Sequence, residues 1–419
     1  MAEILQLWPK SLGGDARDWV VANVPVGKVS AATFQLSSHG DRPNQPKIGG
    51  QFSFNGMQLR YIDTMPPATG KIDAMTIAQS LGALIPENAI APFVREVDKP
   101  SPGPTDLLVR VEACGICGSD RHFLHGEFPT SPPVTLGHEF SGIVEAVGSE
   151  VTGFRPGMRV TADPNIFCGR CPACQGGLVN HCQNWKALGL ALDGGFAEHA
   201  VVPQTQAVEL PLSLHPEHGA FCEPLACCLH AVDMAGIKPG DSVVVLGGGV
   251  IGLLTLQLAR LAGATRVILS TRQGVRRRLA EELGATDTID PTAVDPVQAI
   301  AGPDGLVPGG VDVVLECAGV PDTVHQSLKL ARRRGTVMIV GVMPQGQTVE
   351  MEPCDVMMRE LRIQGSFINP FVHRRAAALI TSGAIEVGKL VSQRIKLDQV
   401  PEVIWRDPLP GEVKVMVIP

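Results

Sequence analysis

The sequence predicts an α/β protein with two folded parts, a β-rich part and a doubly wound parallel sheet, preceded by an extra N-terminal segment. Short apolar segments alternate with Pro and Gly turns over residues 76–212, which is typical of β-rich structure. Strand and helix patterns then alternate over residues 226–367, as in a doubly wound sheet. The length of 419 residues agrees with two to three domains.

Individual strands can be located from their apolar runs. Strand patterns occur at residues 107–111, 141–147, 200–203, 266–270, 311–316 and 336–340. The last three are nearly continuous in apolar residues, which predicts strands buried on both faces of a sheet. A final pattern at 412–417 predicts a strand that returns to the β-rich part.

Four closely spaced cysteines predict a structural metal site. Their spacing places two C-x2-C turns close to a fourth cysteine, and zinc takes four such ligands in a tetrahedron. The alternatives are disulfides or buried free thiols. Disulfides are typical of secreted chains, and residues 1–30 lack the pattern of a signal peptide. A site closed by four thiolates has no open position, so we expect a structural zinc. The cysteines are Cys168, Cys171, Cys174 and Cys182.

A second set of residues has the ligand types of a catalytic zinc, which keeps one position for water or substrate. These are Cys117, His138 and Glu139. Glu223 lies in an apolar, proline-fixed stretch with few polar neighbours, which favours a role facing the metal. Each residue alone is more often a packed cysteine or a surface carboxylate, so the prediction depends on the whole set.

A glycine-rich turn predicts the cofactor site. Four apolar residues lead into Gly247-x-Gly249-x-x-Gly252, with Val250 and Ile251 between the last two glycines, and a helix pattern follows. This order of strand, turn and helix N-terminus binds a dinucleotide pyrophosphate. The alternative is a membrane span, because residues 242–259 carry no charge. Adjacent glycines and the short length of the run argue against it.

The strand at 266–270 is followed by Thr271 and Arg272, where an NAD site usually places an acidic residue on the ribose 2′-hydroxyl. A hydroxyl beside a guanidinium can bind a 2′-phosphate that a carboxylate would repel. We therefore predict a preference for NADP(H) over NAD(H). Arg276 and Lys414 complete the predicted cofactor contacts. Two further residues, Arg277 and Arg278, are expected on a solvated helix face.

Composition excludes several classes of function. The formal net charge is −7, and no long basic run is present, which argues against nucleic acid as a partner. The remaining cysteines show no pairing pattern, so a reducing cytoplasm is the expected location. The single tyrosine, Tyr61, is followed four residues later by Met65. A Tyr-x-x-x-Lys dehydrogenase mechanism is therefore excluded, and a metal must polarise the substrate.

Residues 1–75 show no recognisable chemistry. Residues 52–61 predict a hairpin, because Asn55-Gly56 is a favoured two-residue turn between strand patterns. Gly, Pro and polar residues surround this hairpin and predict irregular structure.

With both cysteine patterns and the glycine turn in place, residues 76–419 resemble the zinc-dependent medium-chain alcohol dehydrogenases, in particular the sorbitol, polyol and threonine dehydrogenases. The resemblance implies a GroES-like catalytic domain built from residues 76–225 and 368–419. It also implies a Rossmann cofactor domain at 226–367. The family usually lacks an extension like residues 1–75, and Met75 lies near the start of a typical family chain.

The resemblance also implies residue roles. Cys117, His138 and Glu139 match the catalytic zinc ligands, and Glu223 matches a glutamate that binds the zinc directly or through its water. Ser119 matches the hydroxyl that takes the alcohol proton. His122 stands where the family often has a relay histidine. The four-cysteine lobe matches the structural zinc site.

The implied reaction is hydride transfer between a secondary alcohol or polyol and NADP(H), giving a ketone or aldehyde. An amino alcohol such as threonine with NAD is an alternative substrate, and a non-enzymatic zinc- and nucleotide-binding protein is an alternative function. An Arg-Tyr pair that meets the polyol in the sorbitol branch is replaced here, within residues 365–370, by an apolar residue and an amide. The expected partners are a small alcohol or carbonyl compound and further copies of the chain, as a homodimer or homotetramer, without nucleic acid or membrane.

Overall fold

The computed structural model describes the backbone of residues 31–37, 47–54 and 57–64, and all of residues 92–124 and 132–419. The described residues fall into an N-terminal unit and a second unit that comprises residues 93–123 and 127–419, and each unit is described by itself.

The N-terminal unit contains a three-stranded antiparallel sheet of β1 (Ala31–Ser37), β2 (Lys47–Phe54) and β3 (Met57–Thr64). Phe54 pairs with Met57, which leaves two residues for the connection between β2 and β3. The predicted hairpin is therefore confirmed at the level of strand pairing. The rest of residues 1–75, including Met75 and the segments predicted to be irregular, lies outside the described residues.

Each predicted strand of the second unit has a counterpart in the structure to within a few residues, whereas β6, β7, β8, β10, β13, β16 and β17 as given below were not predicted individually. The largest difference is at the predicted strand 336–340, which the structure extends backwards because Ala331 already pairs with Val311 before an irregularity in the register. In chain order, the strands are β4 (Asp106–Gly115), β5 (Glu139–Val147), β6 (Arg159–Ala162), β7 (Asn165–Ile166), β8 (Lys186–Ala187), β9 (His199–Pro203), β10 (Ala207–Leu210), β11 (Ser242–Leu246), β12 (Arg266–Ser270), β13 (Asp287–Ile289), β14 (Val311–Glu316), β15 (Ala331–Ile339), β16 (Arg362–Gly365), β17 (Val391–Ile395) and β18 (Lys414–Val417).

The β-rich part is a seven-stranded sheet with the order β10-β6-β5-β4-β18-β17, in which β9 also pairs with β4. Strand β18 pairs with Cys114 and Gly115 at the end of β4, so the chain terminus returns to the first part, as predicted. Strands β7 and β8 form a separate pair.

The second sheet has six parallel strands in the order β13-β12-β11-β14-β15-β16. Counted from β11, this is the 3-2-1-4-5-6 order of a Rossmann sheet, which binds ligands at the carboxyl ends of its strands, where the order reverses. Residues 242–259 form a strand, a glycine turn and a helix, so the membrane-span alternative is wrong. No helix among the described residues is long and apolar enough to span a bilayer.

Several helices begin with proline in the first turn, where its missing N–H costs no hydrogen bond. The helices are α1 (Gly118–Leu124), α2 (Pro172–Gln175), α3 (Pro216–Ala220), α4 (Cys222–Ala235), α5 (Val250–Leu261), α6 (Gly274–Glu282), α7 (Pro296–Ala301), α8 (Pro321–Leu330), α9 (Pro353–Arg359), α10 (His373–Thr381) and α11 (Val400–Trp405), with short 3₁₀ turns at Val179–His181, Gly388–Leu390 and Leu397–Gln399.

Helix α4 joins the two parts of the second unit. It begins before the predicted boundary at residue 226 and packs against both α5 and α10. One hydrophobic core runs from Phe221 and Leu225 to Val243 and Leu253 and on to Met416. Because the two sheets share this core through α4, the start of α4 is fixed relative to both of them.

Candidate active site

Strand pairing brings three predicted metal ligands together. Cys117 follows β4, His138 precedes β5, and Glu139 is the first residue of β5. Because Gly115 pairs with Glu139, the end of β4 lies beside the start of β5. The ligand atoms of Cys117, His138 and Glu139 lie within 4.8 Å of one another. We call these three residues the catalytic cluster.

Asp120 orients the catalytic cluster, although it was not among the residues predicted from the sequence. Its carboxylate is fully buried, lies 3.5 Å from Nδ1 of His138, and accepts a hydrogen bond from the backbone N–H of Cys117 at 2.8 Å. Burial alone would lower the pKa of His138, but the charge of Asp120, its hydrogen bond to the ring and the contacts of Cys117 together outweigh burial and raise it. A carboxylate on Nδ1 leaves Nε2 free for a metal. The sequence signal that could have identified Asp120 is an acidic residue three positions after the candidate ligand Cys117.

Glu139 is held by a buried ammonium group. Lys414 Nζ lies 2.6 and 2.9 Å from the two Glu139 oxygens and 2.9 Å from the Ile116 carbonyl, and both charged side chains are almost completely buried. The prediction of Lys414 as a cofactor contact is therefore corrected. An ammonium has three protons, and here each of them already has an acceptor. Lys414, the first residue of β18, thus holds the candidate metal ligand Glu139 in place from the strand beside β4.

Gly115 makes room for this carboxylate. A Cβ atom at position 115 would lie 2.2 Å from Oε2 of Glu139 and 3.3 Å from Cδ of Lys414. Only a residue without a side chain fits between the strand and the buried ion pair.

Glu223 is not a member of the catalytic cluster in this structure. It lies in the first turn of α4, is buried, and accepts a weak hydrogen bond from the Cys227 thiol, with 3.6 Å between Sγ and Oε1. Burial raises the pKa of Glu223 to about 7. The geometry therefore favours a role beside the metal over direct coordination.

The predicted proton-transfer residues lie on α1. Ser119 Oγ is 3.0 Å from Cys117 Sγ and 3.3 Å from Nε2 of His138. His122 is half-buried one turn further along the same helix. Residues three apart share one side of a helix, so Ser119 and His122 face the same way.

The donor atoms of the catalytic cluster fit zinc. A thiolate, an imidazole and a carboxylate are zinc ligands, and three protein ligands leave a position open. Ser119 holds the sulfur in place, because its backbone N–H and its hydroxyl both point to Cys117 Sγ, at 3.5 and 3.0 Å.

The four-cysteine lobe also assembles as predicted. The four sulfur atoms lie within 4.8 Å of one another, with 4.0 Å between Cys171 and Cys182. Backbone N–H groups of Cys168 and Asn184 point to Cys182 Sγ, each at 3.3 Å. A hydrogen bond from the Arg170 backbone lowers the pKa of Cys168 to about 6. Thiolates this close together need a cation, which fits a closed structural zinc site.

The glycine turn connects β11 to α5. Gly247 has a φ of +110°, in the left-handed region, and a Cβ at Gly252 would lie 1.9 Å from the Gly247 carbonyl oxygen. A Cβ at Gly249 would meet no atom within 4 Å, so this residue and the following Val250 and Ile251 border open space at the helix N-terminus. This is the position in which such a turn receives a pyrophosphate.

The end of β12 lies next to that turn. Thr271 is buried, and its side chain would be 2.8 Å from a Cβ at Gly248. Arg272 is exposed, and its guanidinium makes no hydrogen bond or ion pair with the part of the chain that the structure describes. Arg276 is partly buried and donates to the Glu412 carbonyl.

Both Arg277 and Arg278 were predicted to lie on a solvated helix face. Arg278 is exposed as expected, but Arg277 is partly buried. The guanidinium of Arg277 donates to the carbonyl groups of Thr271 and Arg272 at 2.8 and 3.1 Å and pairs with Asp290 at 2.8 Å. Arg277 therefore stabilises the backbone at the end of β12.

Comparison with known proteins identifies the family. Residues 103–212 match the alcohol dehydrogenase GroES-like domain, and residues 250–381 match the zinc-binding dehydrogenase domain. A sorbitol dehydrogenase from Halalkalibacterium halodurans is 39% identical over 277 residues, which is 65% of this chain and 79% of that protein. A D-arabinitol dehydrogenase from Uromyces fabae is 32% identical over 330 residues, which is 78% of this chain and 94% of the relative.

A solved structure agrees with this assignment. A protein described as a zinc-binding dehydrogenase from Sinorhizobium meliloti 1021, with NADP bound, is 65% identical to this chain, with a TM-score of 0.78. The match covers 80% of this chain and 98% of that protein. Together with the two metal sites, the glycine turn and the two sheets, these matches show that the chain belongs to the zinc-dependent medium-chain alcohol dehydrogenases, oxidoreductases that act on CH–OH groups with a nicotinamide cofactor.

Proposed function

We propose that the chain transfers a hydride between a polyol, or another secondary alcohol, and NADP(H), with a ketone or aldehyde as the product. The observation that carries the proposal is the catalytic cluster of Cys117, His138 and Glu139, which shares one unit with the glycine turn at Gly247–Gly252. Relatives named for sorbitol and D-arabinitol support polyols as the substrate class.

Zinc bound by the catalytic cluster supplies positive charge that lowers the pKa of an alcohol hydroxyl. Ser119 Oγ is in position to accept the hydroxyl proton, because it lies within 3.3 Å of the ligand atoms of Cys117 and His138. His122 lies one turn along α1 and carries the proton towards solvent. Asp120 and Lys414 hold His138 and Glu139 in place, and the buried carboxylate of Glu223 would face the metal without being one of the three ligands of the catalytic cluster.

We also propose a preference for NADP(H). The end of β12 carries a hydroxyl and a guanidinium in place of an acid, and the Arg272 guanidinium has no ion-pair partner among the described residues. The similar protein from Sinorhizobium meliloti binds NADP, which supports the proposal. An arginine can bind the 2′-phosphate bidentately.

Initial rates with NADP+ and NAD+ over a panel of polyols and secondary alcohols test both proposals. We expect a higher kcat/KM with NADP+, and we expect Arg272→Ala to lower that value by about 10- to 100-fold while NAD+ kinetics change little. Arg278→Ala is the matched control, because Arg278 is an exposed arginine of the same segment. A higher kcat/KM with NAD+ in the wild-type protein would contradict the NADP preference.

The same panel separates the alternatives. Turnover of L-threonine with NAD+ above that of every polyol would establish an amino-alcohol dehydrogenase. Cofactor binding without turnover of any substrate by zinc-loaded protein would favour a non-enzymatic zinc- and nucleotide-binding protein.

We further propose that the chain self-associates as a homodimer or homotetramer, as its family does. Strand β16 is the edge of the six-stranded sheet, and the exposed side chains of Ile363, Met357, Met358 and Phe367 lie on or near it. Unpaired edge strands pair readily with a second copy. Sedimentation of the wild-type protein and of an Ile363→Lys variant tests this proposal, and a monomeric wild-type protein would contradict it.

We also propose a cytoplasmic location. All eleven cysteines are free in the structure, as expected of a protein in a reducing compartment. Fractionation of cells that make the protein would test this location.

A further inference from the structure

Residues 411–414, here called the connecting segment, contact both the predicted cofactor site and the catalytic cluster. Only Lys414, the last of them, has a role in the mechanism above. Gly411 and Glu412 accept or donate hydrogen bonds at the start of α6, which follows the end of β12, and Lys414 binds Glu139. Four consecutive residues therefore reach from the cofactor side of the second unit to a candidate metal ligand.

Two side chains at the start of α6 bind the connecting segment. Gln273, the residue before α6, accepts a hydrogen bond from the backbone N–H of Gly411 at 2.8 Å. Arg276 donates from Nη2 to the carbonyl of Glu412. Gln273 directly follows Arg272, the proposed ligand of the 2′-phosphate. The backbone that presents Arg272 to the cofactor is therefore the same backbone that holds the connecting segment.

The side chain of Glu412 holds the connecting segment from the catalytic side. It is only 8% exposed, and its carboxylate accepts hydrogen bonds from Arg121 at 3.4 Å and from Arg406 at 2.6 Å. Arg121 lies in α1 between Ser119 and His122, the predicted proton-transfer residues. Charge-assisted hydrogen bonds of this kind are stronger than neutral ones, so the connecting segment is fixed to α1 as well as to α6.

The contacts of Arg276 favour a role other than the predicted cofactor contact. Its Nη2 is used by the Glu412 carbonyl, and its Nε is buried without a partner among the described residues, so Nε is closed to a ligand in solvent. Burial lowers the pKa of the Arg276 guanidinium, the Glu412 carboxylate opposes this shift, and the charge of Arg272 adds to it. Arg272, by contrast, is exposed and has no ion-pair partner in the described part of the chain.

We propose that the connecting segment couples cofactor binding to the catalytic cluster, with Gln273, Arg276 and Glu412 as positioning residues. A dinucleotide bound at Arg272 stabilises the start of α6, and α6 in turn holds the segment whose last residue supports the catalytic cluster. Each ligand orders the same segment, so the second one binds a segment that is already in place. Zinc must then raise the affinity for the dinucleotide by the factor by which the dinucleotide raises that for zinc. This inference rests on the proposed cofactor site.

Calorimetry of NADP+ and NAD+ binding tests this coupling, using full-length protein with and without zinc in the catalytic cluster and with the four-cysteine zinc retained. In the wild-type protein, we expect zinc to tighten binding of both dinucleotides about 10-fold. Gln273→Leu and Arg276→Met should reduce this factor to about twofold or less. Arg276→Lys keeps a donor for the Glu412 carbonyl, so it should restore part of the factor. Arg278→Met is the matched control, because Arg278 is an exposed arginine of the same helix.

Turnover provides a second measurement, which separates positioning from phosphate binding. A positioning role predicts that Arg276→Met lowers kcat about 10-fold with NADP+ and with NAD+ alike, because misplaced catalytic groups slow the reaction with either cofactor. A ligand of the 2′-phosphate would instead raise only the KM for NADP+ when it is removed. Arg272→Ala is the contrasting variant, since we expect it to change NADP+ kinetics and leave NAD+ kinetics nearly unchanged.

The outcomes separate the inference from the proposed function. Binding of neither dinucleotide by the zinc-loaded wild-type protein would contradict the proposed function. Equal wild-type affinities with and without zinc in the catalytic cluster would overturn the inference alone, and this comparison needs no variant to fold. An unchanged zinc effect in both Gln273→Leu and Arg276→Met would also overturn it, because the coupling would then come from direct contact between dinucleotide and metal. So would an effect of Arg276→Met that is confined to the KM for NADP+.

Discussion

The two metal sites of this protein are built in opposite ways. The four-cysteine lobe takes all of its candidate ligands from residues 168–182, and backbone N–H groups within and just after that stretch, those of Cys168 and Asn184, point to the sulfur of Cys182. The catalytic cluster takes its ligands from the segment after β4 and from the start of β5, and it depends on Lys414, which is 275 residues away from Glu139 in the chain. A locally encoded site can stay closed, whereas an open site needs support from distant elements to keep its geometry.

Loss of the local site should have the largest effect on stability. We expect Cys182→Ser to reduce the zinc content from two ions to one per chain and to lower the thermal unfolding midpoint by about 10 °C or more, because a structural zinc contributes directly to folding. Metal analysis and calorimetry measure both values. The control is Cys354→Ser, since Cys354 is an exposed free cysteine. Retention of both ions would contradict a four-thiolate site.

Removal of the distant support should have the next largest effect. Lys414→Met leaves the Glu139 carboxylate buried without its ammonium partner, which typically costs about 3–5 kcal/mol. We expect a lower free energy of unfolding in denaturant titration, together with loss of zinc from the catalytic cluster alone. Lys389→Met is the matched control, because Lys389 pairs with Glu282 on the surface and contributes at most about 1 kcal/mol. An unchanged free energy of unfolding would show that the bound metal alone balances the buried charge of Glu139.

A substitution at Gly115 tests how much space the catalytic cluster tolerates. In Gly115→Ala, the new Cβ overlaps Oε2 of Glu139 and must displace the carboxylate. We expect kcat/KM to fall about 100-fold, because a shift of about 1 Å in a catalytic group has this effect. Gly365→Ala serves as the control, since a Cβ there meets no atom within 4 Å. Normal activity of Gly115→Ala would show that the Glu139 carboxylate can shift to make room for a Cβ without loss of catalysis.

Asp120→Asn should give the smallest of these changes. The substitution keeps the shape of the side chain but removes the negative charge beside His138 Nδ1. We expect zinc affinity at the catalytic cluster, or kcat, to fall about 10- to 100-fold with the four-cysteine zinc retained. Competition with a chelator measures the affinity. Asp322→Asn, at an exposed position on α8, controls for the change in net charge. Equal loss from both sites would contradict an orienting role for Asp120.

The sequence predicted most of the architecture because the relevant signals are local. Apolar runs located the central strands of both sheets, β4 and β5 in one and β11, β12, β14 and β15 in the other, and the glycine turn located the junction of β11 and α5. The metal ligands were predicted from residue type and spacing, and the structure brings seven of them into two clusters. The eighth, Glu223, lies outside the catalytic cluster. A resemblance matches a residue by its position in the chain, but it does not predict the distance between that residue and the other ligands.

Roles that depend on distant pairing were missed or misassigned. Lys414 was predicted to contact the cofactor, and only the pairing of β18 with β4 places its ammonium group on Glu139. Arg277 was expected in solvent, and only the fold places Asp290 beside it. Neither partner can be identified from the neighbouring sequence, because each pair joins elements that meet only after the sheets form.

Residue type and spacing within short stretches were enough to predict the family, both sets of candidate metal ligands, the glycine turn and the alternation of strands and helices. Which buried polar atoms have hydrogen-bond partners follows only from the folded structure. Asn165 and Asn369 are 204 residues apart, and Thr161 and His373 are 212 apart, yet they lie within hydrogen-bond distance, and Asn369 Nδ2 and His373 Nδ1 are left buried without a partner among the described residues. Burial removes water as an alternative partner, so the hydrogen bonds of such atoms depend on the whole fold.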